Sequence, residues 1–230
     1  MCRPTGVKTV VPGHSVEAWM QSPSFSERLI ETLKIVLGAI VLTLALRVAV
    51  IEAYHVPTGS MEDTILPGDT LLGNKFVFGI RVPLLAVRFP AIRQPRTGDV
   101  IIFNHPLEKG ERLVKRVIAV AGQTVEIRRK HLFVDGKEIS LPETGKFLDD
   151  QILPAEISTR DFIDPVLVPE GRLFVMGDNR DDSHDSRAWG FLDENLILGK
   201  ALIVLYSWEV HRNEPILKRI RWDRIGHAIR

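Results

Sequence analysis

Two side chains far apart in the sequence could form a nucleophile and its base. Ser60 follows Gly59 in a turn that Pro57 rigidifies, a pattern typical of an exposed serine nucleophile but also of an ordinary loop. Lys115 lies among apolar residues that would share its strand face, and burial there disfavours the charged ammonium. A lysine that is neutral part of the time can accept a proton as a general base. The alternative is an exposed lysine on an edge strand.

The polar stretch 177–190 is the third candidate for chemistry. Its residues cannot all be solvated between two apolar runs, so some of them should hydrogen-bond each other in an ordered loop. Asp185 and Arg187 can pair, and the Ser183 hydroxyl could orient a nearby amine. One alternative is a Ca²⁺ loop, although the spacing and terminal Glu of an EF-hand are missing. Another is a Ser/His/Asp triad through His184, which is weaker than a Ser/Lys pair.

The composition argues against several other classes of protein. The chain has 230 residues, with 30 Lys and Arg against 29 Asp and Glu, and a net charge of +1 argues against a general nucleic-acid binder. Its one Cys, at position 2, rules out an intramolecular disulfide and any CxxC metal or redox site. None of the seven His residues has the H-E-x-x-H spacing, which disfavours a zinc hydrolase. We therefore expect no metal and no cofactor.

Short runs rich in β-branched and aromatic residues predict the strands that must position these side chains. The runs are 100–103, 112–120, 124–127, 132–134, 173–176 and 201–206. The residues predicted to share one face of the second run are Leu113, Lys115, Val117 and Ala119. Asp135-Gly136 separates two runs as a two-residue hairpin loop would. The domain is predicted to be mostly β.

The stretch 35–51 predicts a helix of a different kind, because Arg47 is its only charged residue. At about 1.5 Å per residue this helix is about 25 Å long, at the lower limit for crossing a bilayer core. Basic residues precede it and none occurs in 52–74, so the positive-inside rule places the N-terminus in the cytoplasm. We expect a cytoplasmic leader at 1–29 and a single transmembrane helix at 30–52. A buried core helix and a cleavable signal peptide are the alternatives.

Three further segments have less regular patterns. Residues 75–95 mix large apolar residues with Arg and Pro, which predicts either a loop over the core or a surface that dips into lipid headgroups. Residues 141–168 carry several Asp residues and are predicted to form a solvated excursion. The basic C-terminal tail, 211–230, could rest on anionic lipid or be solvated.

Four motifs follow the apolar stretch in order: Gly59-Ser60-Met61, 98–103, 115–118 and 177–187. Together they resemble the bacterial type I signal peptidases, and the likeness runs from about residue 30 to Trp208. The resemblance implies an antiparallel β-sheet catalytic domain over 53–210, on the outer, periplasmic side of the cytoplasmic membrane. It also implies that the substrates are exported preproteins, that their signal peptides are removed after a cleavage site with small, Ala-sized residues at the first and third positions before the cut, and that the lipid bilayer is a second partner.

By the same resemblance, Ser60 is the nucleophile and Lys115 the general base of a Ser/Lys dyad. The supporting residues that it implies are Thr58 in the oxyanion hole, Ser183 beside the lysine amine, and the ion pair of Asp185 with Arg187. The sequence departs from the commonest family pattern at Thr58, where Ser is frequent, and at Glu62-Asp63, where many members carry Pro. A related Ser/Lys peptidase with a dedicated substrate and a non-catalytic, membrane-tethered peptide-binding domain are the alternatives.

Overall fold

The structure is a computed structural model, in which the chain divides into two compact units, Met1–Leu46 and Arg47–Arg230. The residues that it describes are 25–79, 81–82, 87–88, 91–139, 145–209 and 215–230. Most of the predicted leader, 1–29, therefore lies outside the described residues, and its last five residues are helical.

Helix α1 spans Phe25–Val50. The helix contains no proline, and the hydroxyls of Thr32 and Thr43 donate to carbonyls four residues earlier, which satisfies these polar side chains within the helix. A helix lies where the sequence predicts one, although the last two residues of the segment 30–52 belong to the strand that follows. Within the described residues, no helix is both long enough and apolar enough to cross a membrane.

Strands dominate the second unit, and all of their pairings in the described part of the chain are antiparallel. The strands are β1 (Ile51–His55), β2 (Asp69–Asn74), β3 (Arg81–Val82), β4 (Val87–Arg88), β5 (Val100–Asn104), β6 (Arg112–Val120), β7 (Thr124–Arg128), β8 (His131–Val134), β9 (Lys137–Glu138), β10 (Phe162–Leu167), β11 (Arg172–Met176), β12 (Leu192–Asp193) and β13 (Ile197–Ser207). The helical turns are α2 (Ser186–Trp189) and three 3-10 helices, Glu194–Leu196, Ile216–Lys218 and Trp222–Arg224. Every predicted run lies in a strand, so the prediction of a mostly β, antiparallel domain is confirmed.

The strands form a large sheet, a small sheet and a two-stranded pair. The large sheet has the order β1-β2-β13-β5-β6-β11-β12, the small sheet the order β10-β7-β8-β9, and β3 pairs with β4. Strand β6 thus lies in the interior of the large sheet, with β5 and β11 as its neighbours. Since Lys115 lies on this strand, the alternative of a lysine on an edge strand is wrong.

The prediction that four residues share one face of β6 holds as far as Val117 and fails for Ala119. Leu113 and Val117 pack in one cluster of apolar side chains, whereas Ala119 packs in another. Consecutive residues of β11 pair with Val117 and Ala119, so Ile118 is an extra residue in β6 and forms a β-bulge. The extra residue reverses the alternation of side chains beyond it.

The predicted hairpin at Asp135-Gly136 joins β8 to β9 and is confirmed. Both residues have positive φ, 51° and 74°, which is the backbone conformation of the two-residue turn that matches the twist of antiparallel strands. The Asp135 carboxylate also accepts the Thr124 N–H at 2.8 Å, which ties the turn to the start of β7.

Residues 215–230 fold back over the large sheet and do not form a solvated tail. Ala228 makes a β-bridge with Ile203 of β13. The Arg224 guanidinium donates to the fully buried Asp69 carboxylate at 2.6 Å. The folded unit therefore extends beyond the predicted boundary at residue 210, while residues 211–214 lie outside the described part of the chain.

The described ends of the segment 75–95 cover part of the core. Phe78 is buried in the same apolar cluster as Val117, and Arg93 pairs with Asp99 at 2.6 Å. Residues 80–90, on whose side chains the lipid alternative depends, lie outside the part of the chain whose side chains are described.

The prediction of a solvated excursion over 141–168 is wrong at Asp161. Its carboxylate is fully buried and accepts hydrogen bonds from the Arg160 guanidinium at 2.8 Å and the Leu153 N–H at 2.8 Å. Nearby, Lys130 pairs with Asp181 at 3.0 Å, so this region is held by charge-assisted hydrogen bonds.

Candidate active site

Ser60 lies in a turn that hydrogen bonds hold on two sides. The Glu62 N–H donates to the Gly59 carbonyl at 2.9 Å, and the Asn179 N–H donates to the Ser60 carbonyl at 3.1 Å. The Asn179 side-chain amide donates to the Gly59 carbonyl at 3.2 Å. Met61, the next residue, is 1% exposed and packs in the core. The backbone that carries the Ser60 hydroxyl is therefore fixed by both hydrogen bonds and packing.

The Lys115 amine meets this hydroxyl. Strand β6 pairs with β5 through Lys115 and Ile101, and the lysine side chain is 1% exposed. Its Nζ lies 2.5 Å from the Ser60 Oγ, within hydrogen-bond distance. Burial lowers the pKa of Lys115 to about 8, because desolvation disfavours the ammonium, and the negative charge of Asp185 only partly opposes this effect. The structure thus brings together the two residues that the sequence singles out.

Asp185 is fully buried at the start of α2 and pairs with Arg187, as the sequence predicts. Its carboxylate accepts two hydrogen bonds from the Arg187 guanidinium, at 2.8 and 2.9 Å, and one from the Gly177 N–H at 3.0 Å. Burial by itself would raise the pKa of Asp185, but the charge of Arg187 and these hydrogen bonds outweigh it and hold the pKa below its ordinary value. The ionised carboxylate therefore fixes the end of β11.

Gly177 allows the loop after β11 to approach the Ser60 turn closely. A Cβ atom at this position would collide with both the Ser60 carbonyl and the Ser183 hydroxyl. The two groups therefore flank the same small space. The Ser183 oxygen is buried, and its hydroxyl interacts with the Asp185 carboxylate and helps to lower the pKa of Asp185, although it makes no hydrogen bond of good geometry among the described residues. The predicted contact of Ser183 with the Lys115 amine is not among the hydrogen bonds that the structure forms.

Arg116 and Asp178 form a second buried ion pair, which the sequence analysis missed. The Arg116 guanidinium donates to both carboxylate oxygens of Asp178, at 2.6 and 2.8 Å. The Thr64 hydroxyl donates to the same carboxylate at 2.6 Å. Arg116 follows Lys115 on β6 and Thr64 follows Ser60 by four residues, so Asp178 links the segments that carry the two side chains. The adjacent pair Lys115-Arg116 in an apolar strand was the one available signal.

Glu62, where the sequence departs from the common family pattern, has a partner in the structure. Its carboxylate pairs with the Lys146 ammonium at 2.9 Å. The Lys146 backbone donates to the Asp178 carbonyl and accepts from the Arg180 N–H, both at 2.9 Å. Residue 146 therefore pairs with the loop that holds the Ser60 turn.

Two cavities open beside Ser60, and Ser60, Thr58, Glu111 and Leu113 line both of them. The first, which we call the apolar cavity, has a volume of about 310 Å³, and its further walls include Val56, Pro57, Met61, Arg112 and Val114. The second, which we call the acidic cavity, has a volume of about 370 Å³, and its further walls include His105, Glu108, Lys115, Asp182 and His184. Lys115 borders the acidic cavity and does not border the apolar one.

The His184 triad is not assembled in this structure. Within the described residues, no hydrogen bond joins His184 to Ser60 or to Asp185, whose carboxylate is occupied by Arg187. The His184 ring instead stacks on His105, with 6.3 Å between the ring centroids. The Ser60 hydroxyl has the Lys115 amine as its neighbour.

His105, Glu108 and Glu111 bring one potential ligand atom each within 4.8 Å of one another in the acidic cavity. The His105 Nδ1 accepts the N–H groups of Leu107 and Glu108, at 3.1 and 2.9 Å. A neutral imidazole that accepts at Nδ1 carries its proton on Nε2 and has no lone pair left for a metal. The geometry therefore favours a hydrogen-bonded histidine over a metal ligand.

Comparison with known proteins gives concordant matches. The family model described as "Signal peptidase, peptidase S26" matches residues 29–208. A signal peptidase I of Pseudomonas aeruginosa is 34% identical in an alignment of 195 residues that covers 73% of this chain and 69% of the relative. A probable signal peptidase I-1 of Synechocystis sp. is 34% identical in an alignment of 204 residues that covers 85% of this chain and 86% of the relative. A crystal structure of a signal peptidase I from Enterococcus faecalis, 32% identical, covers 48% of this chain and 98% of its own, with a TM-score of 0.36.

Replacing the buried amine by an apolar group should stabilise the fold. We expect Lys115→Met to raise the free energy of unfolding at pH 7 by about 2–3 kcal/mol, because lowering the pKa from 10.5 to about 8 corresponds to about 3 kcal/mol. The gain should be complete below about pH 8 and shrink as the pH rises toward 10.5, where the lysine of the unfolded chain also loses its proton. Denaturant unfolding of both proteins at pH 7 and pH 10 measures the difference.

Lys137→Met, at an exposed position on β9, is the matched control and should change the free energy of unfolding little at either pH. A Lys115→Met protein that is no more stable than wild type at pH 7, or that gains equally at pH 7 and 10, would contradict a desolvated amine.

Proposed function

The chain belongs to the signal peptidase family, peptidase S26, and from this we propose that it is a serine endopeptidase that removes the signal peptides of exported preproteins. The observation that carries the proposal is the 2.5 Å contact between the Lys115 amine and the Ser60 hydroxyl. With a pKa of about 8, the amine is neutral in about a tenth of the molecules at pH 7 and in about half of them at pH 8. A neutral amine at hydrogen-bond distance can take the proton of a serine that attacks a carbonyl.

In the proposed reaction, the Ser60 Oγ attacks the carbonyl carbon of the scissile peptide bond while its proton passes to the Lys115 Nζ. The C–N bond then breaks, and the Lys115 ammonium gives this proton to the departing nitrogen. Water hydrolyses the acyl-enzyme in a second step, with the neutral Lys115 amine again acting as the base. The same lysine therefore acts as base and acid in turn, which suits a group whose pKa lies near the working pH.

We assign the oxyanion hole to the Ser60 N–H and the Thr58 hydroxyl. Thr58 is exposed and borders both cavities together with Ser60. In the described residues neither the Ser60 N–H nor the Thr58 hydroxyl is engaged in another hydrogen bond, so both are available to a developing negative charge. One such donor typically contributes about 3 kcal/mol to lowering the barrier.

The proposed supporting residues act on the amine and on the loop that adjoins it. Asp185 and Arg187 hold Gly177 against the Ser60 turn through the Gly177 N–H. The Ser183 hydroxyl is buried next to this glycine and interacts with the Asp185 carboxylate, and it makes no hydrogen bond of good geometry among the described residues. We assign it the role of a hydrogen-bond partner for the Lys115 amine once the amine turns from Ser60 to the leaving nitrogen.

We also propose that α1 holds the protein in the cytoplasmic membrane with the second unit on the outer side. The stretch 35–51 has one charged residue, and large apolar side chains of α1 are half or more exposed, among them Phe25, Leu37 and Leu42. Basic residues before the stretch and their absence from 52–74 support an N-terminus in the cytoplasm. Anchoring in the membrane of the substrate raises the effective concentration of the two partners.

The dyad assignment can be tested with three single variants. Ser60→Ala and Lys115→Met should each lower kcat/KM for a preprotein by about 10³-fold or more, because each removes a group that takes part in bond making. His184→Ala should change it by less than about threefold. Cleavage of one exported preprotein by the full chain in detergent measures all three. Near-normal turnover of Lys115→Met would overturn the dyad, and a wild-type protein inert toward every preprotein would favour a peptide-binding domain.

The reaction should accelerate with pH because the base is the neutral amine. With a pKa of about 8, about a tenth of the Lys115 side chains are neutral at pH 7 and about nine tenths at pH 9, so kcat/KM should rise about tenfold between them. Measurement of kcat/KM from pH 6 to 10 gives the midpoint. A flat profile, or a midpoint near 6.5 as for a histidine base, would contradict the assignment.

The membrane proposal predicts that charges in the middle of α1 release the protein. The double variant Leu37→Arg/Val41→Arg should move from the membrane fraction to the soluble fraction of bacterial cells, because each charge costs about 2.5–3.5 kcal/mol at the centre of a span. The control variant Ile157→Arg/Leu217→Arg places the same charges at exposed positions of the second unit and should stay in the membrane fraction. Recovery of the wild-type chain in the soluble fraction would overturn the proposal.

A further inference from the structure

The two cavities beside Ser60 differ in which reacting group they contain. Ser60 borders both, whereas Lys115 borders the acidic cavity alone. In the proposed reaction the acyl part of the substrate stays on the Ser60 Oγ, and the departing nitrogen takes its proton from the Lys115 Nζ. This nitrogen must therefore lie on the side of Lys115. It follows that the acidic cavity receives the chain that begins with the departing nitrogen, which is the mature protein, and the apolar cavity receives the signal peptide.

Carboxylates outnumber amines among the walls of the acidic cavity. Its titratable walls are Lys115, His105, His184, Glu108, Glu111 and Asp182. The three carboxylates are exposed and, within the described residues, form no ion pair with a cation. Lys115 is neutral when it acts as the base. The cavity then presents the carboxylates of Glu108, Glu111 and Asp182 to whatever chain enters it.

The carboxylate of Asp182 already acts on a charge inside this cavity. Its negative charge is among the influences that raise the pKa of Lys115 against the effect of burial. The Glu108 and Glu111 oxygens lie within 4.8 Å of a nitrogen of the His105 ring and of each other, so their charges converge on one point of the wall. A positive side chain brought there would gain from both, and a negative one would be repelled by both.

We propose that the acidic cavity is the subsite for the first residues of the mature protein and that Glu108 and Glu111 select there for basic over acidic side chains. This inference rests on the proposed function and specifies its substrate class. The departing nitrogen leaves as a neutral amine with the proton from Lys115, and when this new N-terminus takes a second proton from solvent the same carboxylates face the resulting ammonium group. The selection is electrostatic and weakens with salt, because the carboxylates are exposed.

The test uses two peptides that share a cleavage site with Ala at the first and third positions before the cut. They differ only at the second residue after it, which is Lys in one and Glu in the other. For the full chain in detergent at pH 8.5 and low salt, we expect kcat/KM to favour the Lys peptide by about tenfold, a size typical of two exposed charges acting together. The preference should fall to about threefold or less in 0.5 M salt, where the Debye length is about 4 Å.

The double variant Glu108→Gln/Glu111→Gln should cut both peptides at rates within about twofold of each other. Because the preference is a ratio measured on one enzyme, a change in the pKa of Lys115 cancels from it. Glu170→Gln, at an exposed position outside both cavities, is the control and should keep the wild-type preference. Thermal unfolding verifies that each variant is folded.

The outcomes separate this inference from the proposed function. If the wild type cuts both peptides equally, prefers the Glu peptide, or keeps its preference in the double variant, the inference is overturned and the peptidase assignment stands. If the wild type cuts neither peptide nor any preprotein, the proposed function fails and the inference fails with it. A preference for Lys that the double variant loses and the control retains supports the inference.

Discussion

A lysine amine kept out of water beside a serine hydroxyl is the interaction on which the rest of this structure depends. Desolvation pushes the pKa of Lys115 down, and the negative charges of Asp185, Asp178 and Asp182 push it up. Asp185 would by itself hold the amine protonated, since an uncompensated carboxylate in a buried site strongly favours a nearby cation. The charge of its partner Arg187 opposes that effect, because it lowers the pKa of Lys115. The ion pair therefore has an electrostatic role as well as a structural one, because it lets a carboxylate hold the loop without fixing the proton on the lysine.

Because β6 lies in the interior of the large sheet, this one strand can bring both the Lys115 amine and the Arg116 guanidinium to their partners. Consecutive residues of a strand point to opposite faces, so Lys115 and Arg116 reach different surroundings from adjacent positions. Lys115 reaches the Ser60 hydroxyl, whereas Arg116 binds Asp178, which in turn accepts the Thr64 hydroxyl. Both contacts lead back to the turn that carries Ser60. Strand and turn are thus joined twice, and the distance between the reacting groups does not depend on the lysine side chain alone.

The sequence was sufficient for the features that depend on local pattern. Alternation and turn chemistry act over a few residues. They predict the strand runs, the Asp135-Gly136 turn and the burial of Lys115. A β-bulge is recognised only when the residues of one strand are paired with those of its partner strand. The bulge at Ile118 could therefore not be predicted from the sequence. The pairing of Arg224 with Asp69 was missed for a related reason: a run of basic residues near the C-terminus has the same appearance whether it is solvated or folded back. The resemblance to the family implies a hydrogen bond between the Ser183 hydroxyl and the Lys115 amine, and this bond is not among those of the described residues.

The order of the strands in the large sheet also determines which of its contacts can form first while the chain is being synthesised. Strand β2, which follows the Ser60 turn, is bordered by β1 and β13, and β13 begins at Ile197. Asp69 at the start of β2 is satisfied by the Ser207 hydroxyl and the Arg224 guanidinium. Contacts that join residues so distant in the chain form late, since the intervening segment must first be available. The nascent chain therefore carries both reacting residues long before it has β13, and synthesis must pass residue 224 before Asp69 at the start of β2 has both of these partners.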